Sequence, residues 1–300
     1  MKNLTIKEID KKFSIPNVSP WDYTLVGLLV IDNEPSLGFK RMGGTAFYSG
    51  VQASALGLKT GIITKGNVEE IAALWENAFL DGDIPKDTKI EIWVEPSEHT
   101  TTFLCEGRGE SRKQLVEKYS GPISHENIPK IGNLLHLGPV VQEIEPEVFE
   151  SINYDNIVLG LQGFVRKFQG LGKEYSWETP KYFNKIIGNV SICGGHELEE
   201  ECSRQIMKNI IDSEGSALVT HGKDPVEILT KTTRSKINTL EVSEVDDYGD
   251  GDIFSAGVAY GLLNYLSIEE SVKIGCKVAA YALGKVGVSD LLTNHELQNR

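Results

Sequence analysis

Closely spaced cysteines are absent from this 300-residue chain: Cys105, Cys193, Cys202 and Cys276 form no C-x-x-C pair and no zinc-like spacing. That argues against a disulfide scaffold or a thiolate metal centre, and for free thiols in a reducing compartment. Long apolar runs are lacking too. A stretch such as "LVGLLVI", Leu25 to Ile31, falls far short of the ~20 residues that a membrane helix needs. The amino terminus, "MKNLTIKEIDKKF", carries no apolar segment of the kind found in secretory signals. Positive charge is in deficit, with 30 Lys and Arg against 43 Asp and Glu, a formal charge of −13. A nonspecific nucleic-acid or membrane-surface binder needs a basic face, so neither partner is expected. The expectation is a soluble, cytoplasmic protein.

What is present is an alternation of strand-like and helix-like segments from Tyr23 to the end. "YTLVGLLVID" reads as a buried strand ending on Asp32. "GGTAFYSGVQASALGLKTGIITKG" reads as a glycine turn, a helix stopped at Gly57, and a strand. "NLLHLGPV", "NIVLGLQG", "NVSICGG" and "SALVTHG" are further short strands, with helices such as "ELEEECSRQIMKNIIDSEG" between them. Such alternation predicts a mostly parallel sheet covered by helices on both faces, a three-layer α/β/α sandwich. The segment "KIEIWVEPSEHTTTFLCEG" interrupts the rhythm and reads as an antiparallel ribbon, a small β-sheet lid over the strand ends. The expected organisation is one domain over 1–300, with lid strands near 34–44 and 90–118. Residues 1–20 are expected to be an appended arm.

One stretch concentrates the chemistry. "EVDDYGDGDIFSAGVAYGLL" sets Asp246, Asp247, Asp250 and Asp252 among glycines before an apolar helix. A calcium loop starting at Asp246 fails, because Tyr248 and Gly257 fall where oxygen ligands are needed. A helix cap explains one aspartate but not the flanking Gly249 and Gly251. Glycines on both sides of an acid suit a backbone that approaches an anion and points its N–H groups at it from a helix terminus. An aspartate beside such a site is repelled by the anion unless its basicity is used, which makes Asp252 a candidate general base.

"DDYGDGDIF" resembles the D-T-x-G-A-G-D-x-F signature of the ribokinase (PfkB-type) family of carbohydrate kinases, matching at Asp246, Gly249, Gly251, Asp252 and Phe254. Other stretches resemble family features in the right order. "GLLVID" is similar to the first strand with its sugar-contacting Asp. "GGTAFYSGVQASALG" is similar to the amino-terminal glycine signature, with Tyr48 at the usual Asn. "LQGFVR" resembles a middle strand of sugar and polyol kinases, "ALVTHG" the strand beside the nucleotide, and "GGHELE" the N-x-x-E motif.

The resemblance implies a ribokinase-like fold and transfer of the ATP γ-phosphoryl group to a hydroxyl of a small sugar or polyol. It implies that Asp252 is the base, with Gly249, Asp250 and Gly251 supplying backbone N–H groups. Asp32, Gly43, Gly44, Tyr48 and Arg166 would hold the acceptor, Thr220 and Gly222 the nucleotide, and Glu197 a Mg²⁺ ion through water. Departures from the pattern are Asp247, Asp250, Tyr48 and Gly194. Asp250 adds charge near a phosphate, and Asp247 alters the place where some members hold a monovalent cation. "GGTAFYS" points toward inositol-like acceptors. A nucleoside kinase and a non-catalytic sugar- or nucleotide-binding relative are the alternative readings. A homodimer through the lid, with Ile92, Trp93 and Val94 at the contact, is the expected protein partnership.

Overall fold

A computed structural model describes residues 4–10, 14–36, 38–80, 84–85, 88–106, 113–194, 197–242, 249–284, 288 and 291–299. The first half of the chain runs β1 (Leu4–Glu8), β2 (Tyr23–Val26), β3 (Val30–Glu34), β4 (Phe39–Gly43), α1 (Thr45–Ala55), β5 (Thr60–Gly66) and α2 (Val68–Leu80). It continues through β6 (Ile90–Pro96), β7 (Thr102–Glu106), β8 (Lys113–Lys118) and β9 (Ile131–Leu137). The second half runs β10 (Asn153–Gly160), α3 (Leu161–Val165), β11 (Arg166–Lys167), β12 (Ser176–Trp177), β13 (Val190–Gly194) and α4 (Glu197–Asp212). Last come β14 (Ser216–His221), β15 (Asp224–Leu229), β16 (Arg234–Ile237), α5 (Asp250–Leu263), α6 (Ile268–Leu283) and α7 (Asn294–Gln298).

Ten strands form one sheet in the order β1-β6-β5-β2-β9-β10-β13-β14-β15-β16, parallel up to β14 and antiparallel at β15 and β16. Successive residues of its central strands point to opposite faces, as the pleat requires. Leu25, Ile62, Leu134 and Val158 enter one core with α1, α2, α5 and α6. Their neighbours Val26, Ile63, Leu135 and Leu159 enter another, beneath α3 and α4. Burial on both faces explains why these strands read as unbroken apolar runs, and it gives the expected three layers. Among the described residues, no helix is long and apolar enough to cross a membrane.

A second, four-stranded sheet has the order β4-β3-β7-β8. Its location corrects three expectations. First, the apolar run 23–32 is two strands. The main-sheet strand β2 stops at Val26 because Gly27 lies against Gly138, where a Cβ would come within 2.3 Å of a carbonyl oxygen. After that turn β3 belongs to the small sheet, so Asp32 stands there, opposite Arg41 and beside Phe103.

Second, the 90–106 segment is not one ribbon. β6 pairs in parallel between β1 and β5 in the large sheet, and only β7 reaches the small one. Ile92, Trp93 and Val94 are therefore 0%, 5% and 0% exposed, and give no surface for a second copy. Alternation marks any half-polar strand, and it did not separate a ribbon from a sheet strand with two covered faces. Third, the amino-terminal segment is an edge strand, β1, fastened to β6 by its ladder and by the Lys7–Glu91 ion pair.

Candidate active site

A cavity of about 310 Å³ opens at the carboxyl ends of β10, β13 and β14, where open parallel sheets bind ligands. Gly160, Leu161 and Gln162 wall it on one side, Gly194, Thr220 and Gly222 on another. Its floor is made by the starts of two helices: Thr45 of α1, and Gly249 to Asp252 with Ser255 of α5. First-turn N–H groups have no partner within their own helix, so two helix amino termini bring partial positive charge to one place.

The glycines of the α5 turn serve different needs. Gly249 is the N-cap, in the left-handed region at φ 75°, and a Cβ on it would penetrate the Tyr48 ring at 2.2–2.5 Å. Gly251 has no positive φ, and a Cβ there would meet nothing within 4 Å. Nothing in the fold requires glycine at 251; the space above it is cavity.

Asp252 stands half-buried at the floor. Loss of solvation pushes its carboxyl up to about 7. A hydrogen bond from Thr45 and the charge of Arg166 pull it down, while Asp250 and Asp32 push it further up. The main-chain oxygen of Asp252 accepts a hydrogen bond from Ser49 Oγ at 2.7 Å. Helix α1 thus grips Asp252 twice, through Thr45 at the carboxylate and Ser49 one turn later at the carbonyl.

Thr220, Gly222 and Gly194 line the cavity. Asp32 and Arg166 are buried beside it rather than in its wall, but Asp252 feels the charge of both. Asp32 packs against Gly43, where a Cβ would lie 2.1 Å from Oδ2, and Gly44 turns at φ 87° into α1. The Arg166 guanidinium lies 4.5 Å from the Tyr175 ring centre and 5.4 Å from that of Trp177. Tyr48 is placed differently from expectation. It is 4% exposed, edge-on to Phe47, and lies beneath the Gly249 turn as its support. Glu197 opens α4, but its side chain lies outside the described residues, as do Asp246 and Asp247 entirely.

Sequence reasoning gave no site role to Thr45, Gln162, Ser255 or Glu143. Thr45, Ser49 and Gln52 recur at helical spacing on a helix buried at every residue but its last, a polar stripe that was a readable signal. Glu143 offered none. Its buried carboxylate accepts from Val140 N and Val141 N at 2.9 and 2.8 Å and from Leu28 N at 3.2 Å. It ties the turn after β9, which carries cavity residue Pro139, to the root of the small sheet.

The pattern of the pfkB family carbohydrate kinases matches residues 188–294, which include β13, Thr220, Gly222 and the Gly249–Asp252 turn. The 5-dehydro-2-deoxygluconokinase of Geobacillus kaustophilus is 25% identical over 310 aligned positions, covering 91% of each chain. The match to the pfkB pattern and the end-to-end similarity to this relative support a kinase of the ribokinase (PfkB-type) family. A second 5-dehydro-2-deoxygluconokinase, from Geobacillus thermodenitrificans, is 26% identical over 136 residues, and the match covers 40% of that protein. Among solved structures, a pyrophosphate-dependent kinase of the ribokinase family, in complex with a pyrophosphate analogue and myo-inositol, superposes with a TM-score of 0.71. It is 19% identical, and the match covers 92% of this chain and 99% of that one. The protein is a carbohydrate kinase, a phosphotransferase with an alcohol as acceptor.

A hard cation suits the kinase's cavity only in part. Asp250 and Asp252 supply carboxylate oxygens, but among the described residues no three His, Cys, Asp or Glu side chains converge.

Proposed function

We propose that this kinase transfers the terminal phosphoryl group of ATP to a hydroxyl of a small sugar or polyol, inositol-like rings included, with Asp252 as general base. The observation that carries the reading is the pairing of a carboxyl poised at about 7 with the open helix terminus at Gly249–Gly251. A base titrating near the working pH both accepts a proton readily and is largely ionised. The acceptor hydroxyl loses its proton to the Asp252 carboxylate as its oxygen bonds to phosphorus, and the donor bridging oxygen leaves with its electron pair. The N–H groups of Asp250 and Gly251 face the transferring group and stabilise its charge without reorganising. Asp32, with the Gly43–Gly44 turn, and Arg166 hold the acceptor under the small sheet acting as a lid. Thr220 and Gly222 flank the donor. Mg²⁺, when bound, would neutralise phosphate charge, and Glu197 would hold it through water.

Two observations guide the choice of substrates. Two relatives are named 5-dehydro-2-deoxygluconokinases and a third an ATP-dependent 6-phosphofructokinase, and the kinase of the same fold held with myo-inositol is pyrophosphate-dependent. Phosphorus-31 spectra of the protein with Mg-ATP or Mg-pyrophosphate and a panel of polyols, sugars, keto-acid sugars and nucleosides test the reading. A new phosphate ester on a polyol or sugar is expected. Transfer to nucleosides alone would move the protein to the nucleoside kinases. Donor binding without any transfer would leave a sensor.

Asp250 repels both the donor and the charge on Asp252. Asp250→Ala is therefore expected to lower the donor KM by about ten-fold, near 1.4 kcal/mol. It should also move the acidic limb of the pH–rate profile downward. Unchanged KM and profile would mean that the carboxylate acts elsewhere.

A further inference from the structure

The cavity wall runs without a break into a short hairpin that the phosphoryl-transfer chemistry leaves unused. Gln162 lines the cavity, and one turn later Arg166 closes α3 by donating its N–H to the Gln162 carbonyl. Arg166 also opens β11 and is paired across the hairpin with Trp177 of β12. Directly opposite side chains share one face of a ribbon, and Tyr175, two residues before Trp177, shares it too. Both rings meet the buried guanidinium, with Arg166 Cζ 4.5 Å from the Tyr175 ring centre and 5.4 Å from that of Trp177. The two rings stand at 88° to each other, their centres 5.4 Å apart, and so form the walls of a corner.

The far end of the hairpin is fastened to the small sheet. Gly172 N donates to the Val116 carbonyl at 2.8 Å, and Val116 N donates to the Lys173 carbonyl at 3.1 Å. Leu115 and Glu174 form an antiparallel bridge, so the hairpin extends the sheet beyond its outermost strand, β8. Tyr119, just past β8, stacks on Phe168 with ring centres 4.6 Å apart. The same sheet carries Asp32 on β3 and Gly43 on β4. One segment therefore holds Arg166 at one end and grips the sheet of Asp32 at the other.

We propose that Tyr175 and Trp177 are positioning residues for Arg166, and that their hairpin fixes the guanidinium in relation to the lid so that the two together select the acceptor. The proposal rests on the reading that Arg166 holds the acceptor. An arginine side chain loses much rotamer freedom when a single pose is required, and aromatic walls remove that freedom before the acceptor arrives. Stacking uses the flat faces of a guanidinium and aims its in-plane N–H groups, whose hydrogen bonds distinguish one acceptor from another. A stack that served stability alone could sit anywhere along the hairpin. This one falls on the residue that ends the cavity wall, whose charge Asp252 feels.

Two measurements on the full-length protein test this. In nitrogen-15 relaxation of the wild type, Arg166 Nε–H should be as rigid as ordered backbone, with an order parameter of about 0.85. Tyr175→Leu or Trp177→Leu should let it fall toward about 0.6. In steady-state kinetics with the panel member phosphorylated fastest, each leucine variant should raise the acceptor KM about ten-fold, the scale of one partly desolvated cation–π contact. The kcat and the Mg-ATP KM should stay within about two-fold. Tyr175→Phe and Trp177→Phe keep the stack and should recover most of the loss. In an Arg166→Ala background the leucine changes should add nothing, because they act through the guanidinium. A mobile Arg166 in the wild type, an Nε–H that stays rigid in the leucine variants, or further losses in the Arg166→Ala background would each overturn the proposal. An acceptor KM unmoved by Arg166→Ala would instead overturn the acceptor reading beneath it, and the relaxation result tells the two failures apart.

Discussion

Asp252→Asn is expected to lower kcat by roughly 10²–10⁴-fold, the range set by losing a positioned general base. The KM values should change little, because the amide keeps the shape and the Thr45 contact while giving up proton affinity. The pH dependence gives a second signature. With the carboxyl at about 7, wild-type activity should fall about ten-fold per pH unit below neutrality and level off above it. The variant's residual activity should lack that limb.

Stability should move the other way. The folded-state carboxyl titrates above its ordinary value of 3.8, so the native state binds more protons than the unfolded chain between about 4 and 7. The stabilisation is full below that window and is lost as pH rises through it. Above neutrality Asp252→Asn removes a poorly solvated charge, and its thermal midpoint should rise by roughly 2–4 °C. A lower midpoint with lost activity would mean that Asp252 serves the fold instead.

Gly251→Ala should separate fold from function even more sharply. In the first turn of α5, alanine is the better helix former by about 0.5–1 kcal/mol, and its methyl group would meet no protein atom within 4 Å. The variant should fold at least as well as the wild type. In the proposed mechanism, however, the methyl group stands where phosphoryl oxygens approach the N–H groups. Losing one such donor contact costs about 10²–10³-fold in kcat. Gly249→Ala is the control with the opposite logic. Positive φ and the Tyr48 ring beneath it make that glycine a requirement of the fold, so stability should fall along with activity. Near-normal turnover in a stable Gly251→Ala protein would remove the anion-site role from this turn.

The parts of the site that could be read from the sequence are the contiguous ones. Gly249, Gly251 and Asp252 lie within one helical turn, where residue type and spacing alone point to the proposed chemistry. Thr220 and Gly222 were readable because the carboxyl end of a parallel strand is also where α/β proteins bind ligands. The order of strands and helices followed from apolar runs that are buried on both faces.

What could not be read depends on the path of the chain in space. The run from Tyr23 to Asp32 stays apolar across the turn at Gly27, so its pattern did not reveal that Asp32 leaves the large sheet for the small one. β6 alternates because Ile90, Ile92 and Val94 face one core and Trp93 the other. Tyr48 carried the right residue number for a substrate contact but, as the turn's support, the wrong side of it. Glu143 acts across the fold, over 115 residues of sequence to Leu28, and no local pattern joins them.

The most direct test of the account follows the terminal phosphate of labelled Mg-ATP, with the acceptor panel present, in the wild type and Asp252→Asn side by side. Label should move to a hydroxyl of a sugar or polyol in the wild type, with transfer lost in the variant while ATP binding persists. Equal transfer by both proteins, or none by a wild type that binds ATP, would contradict the account.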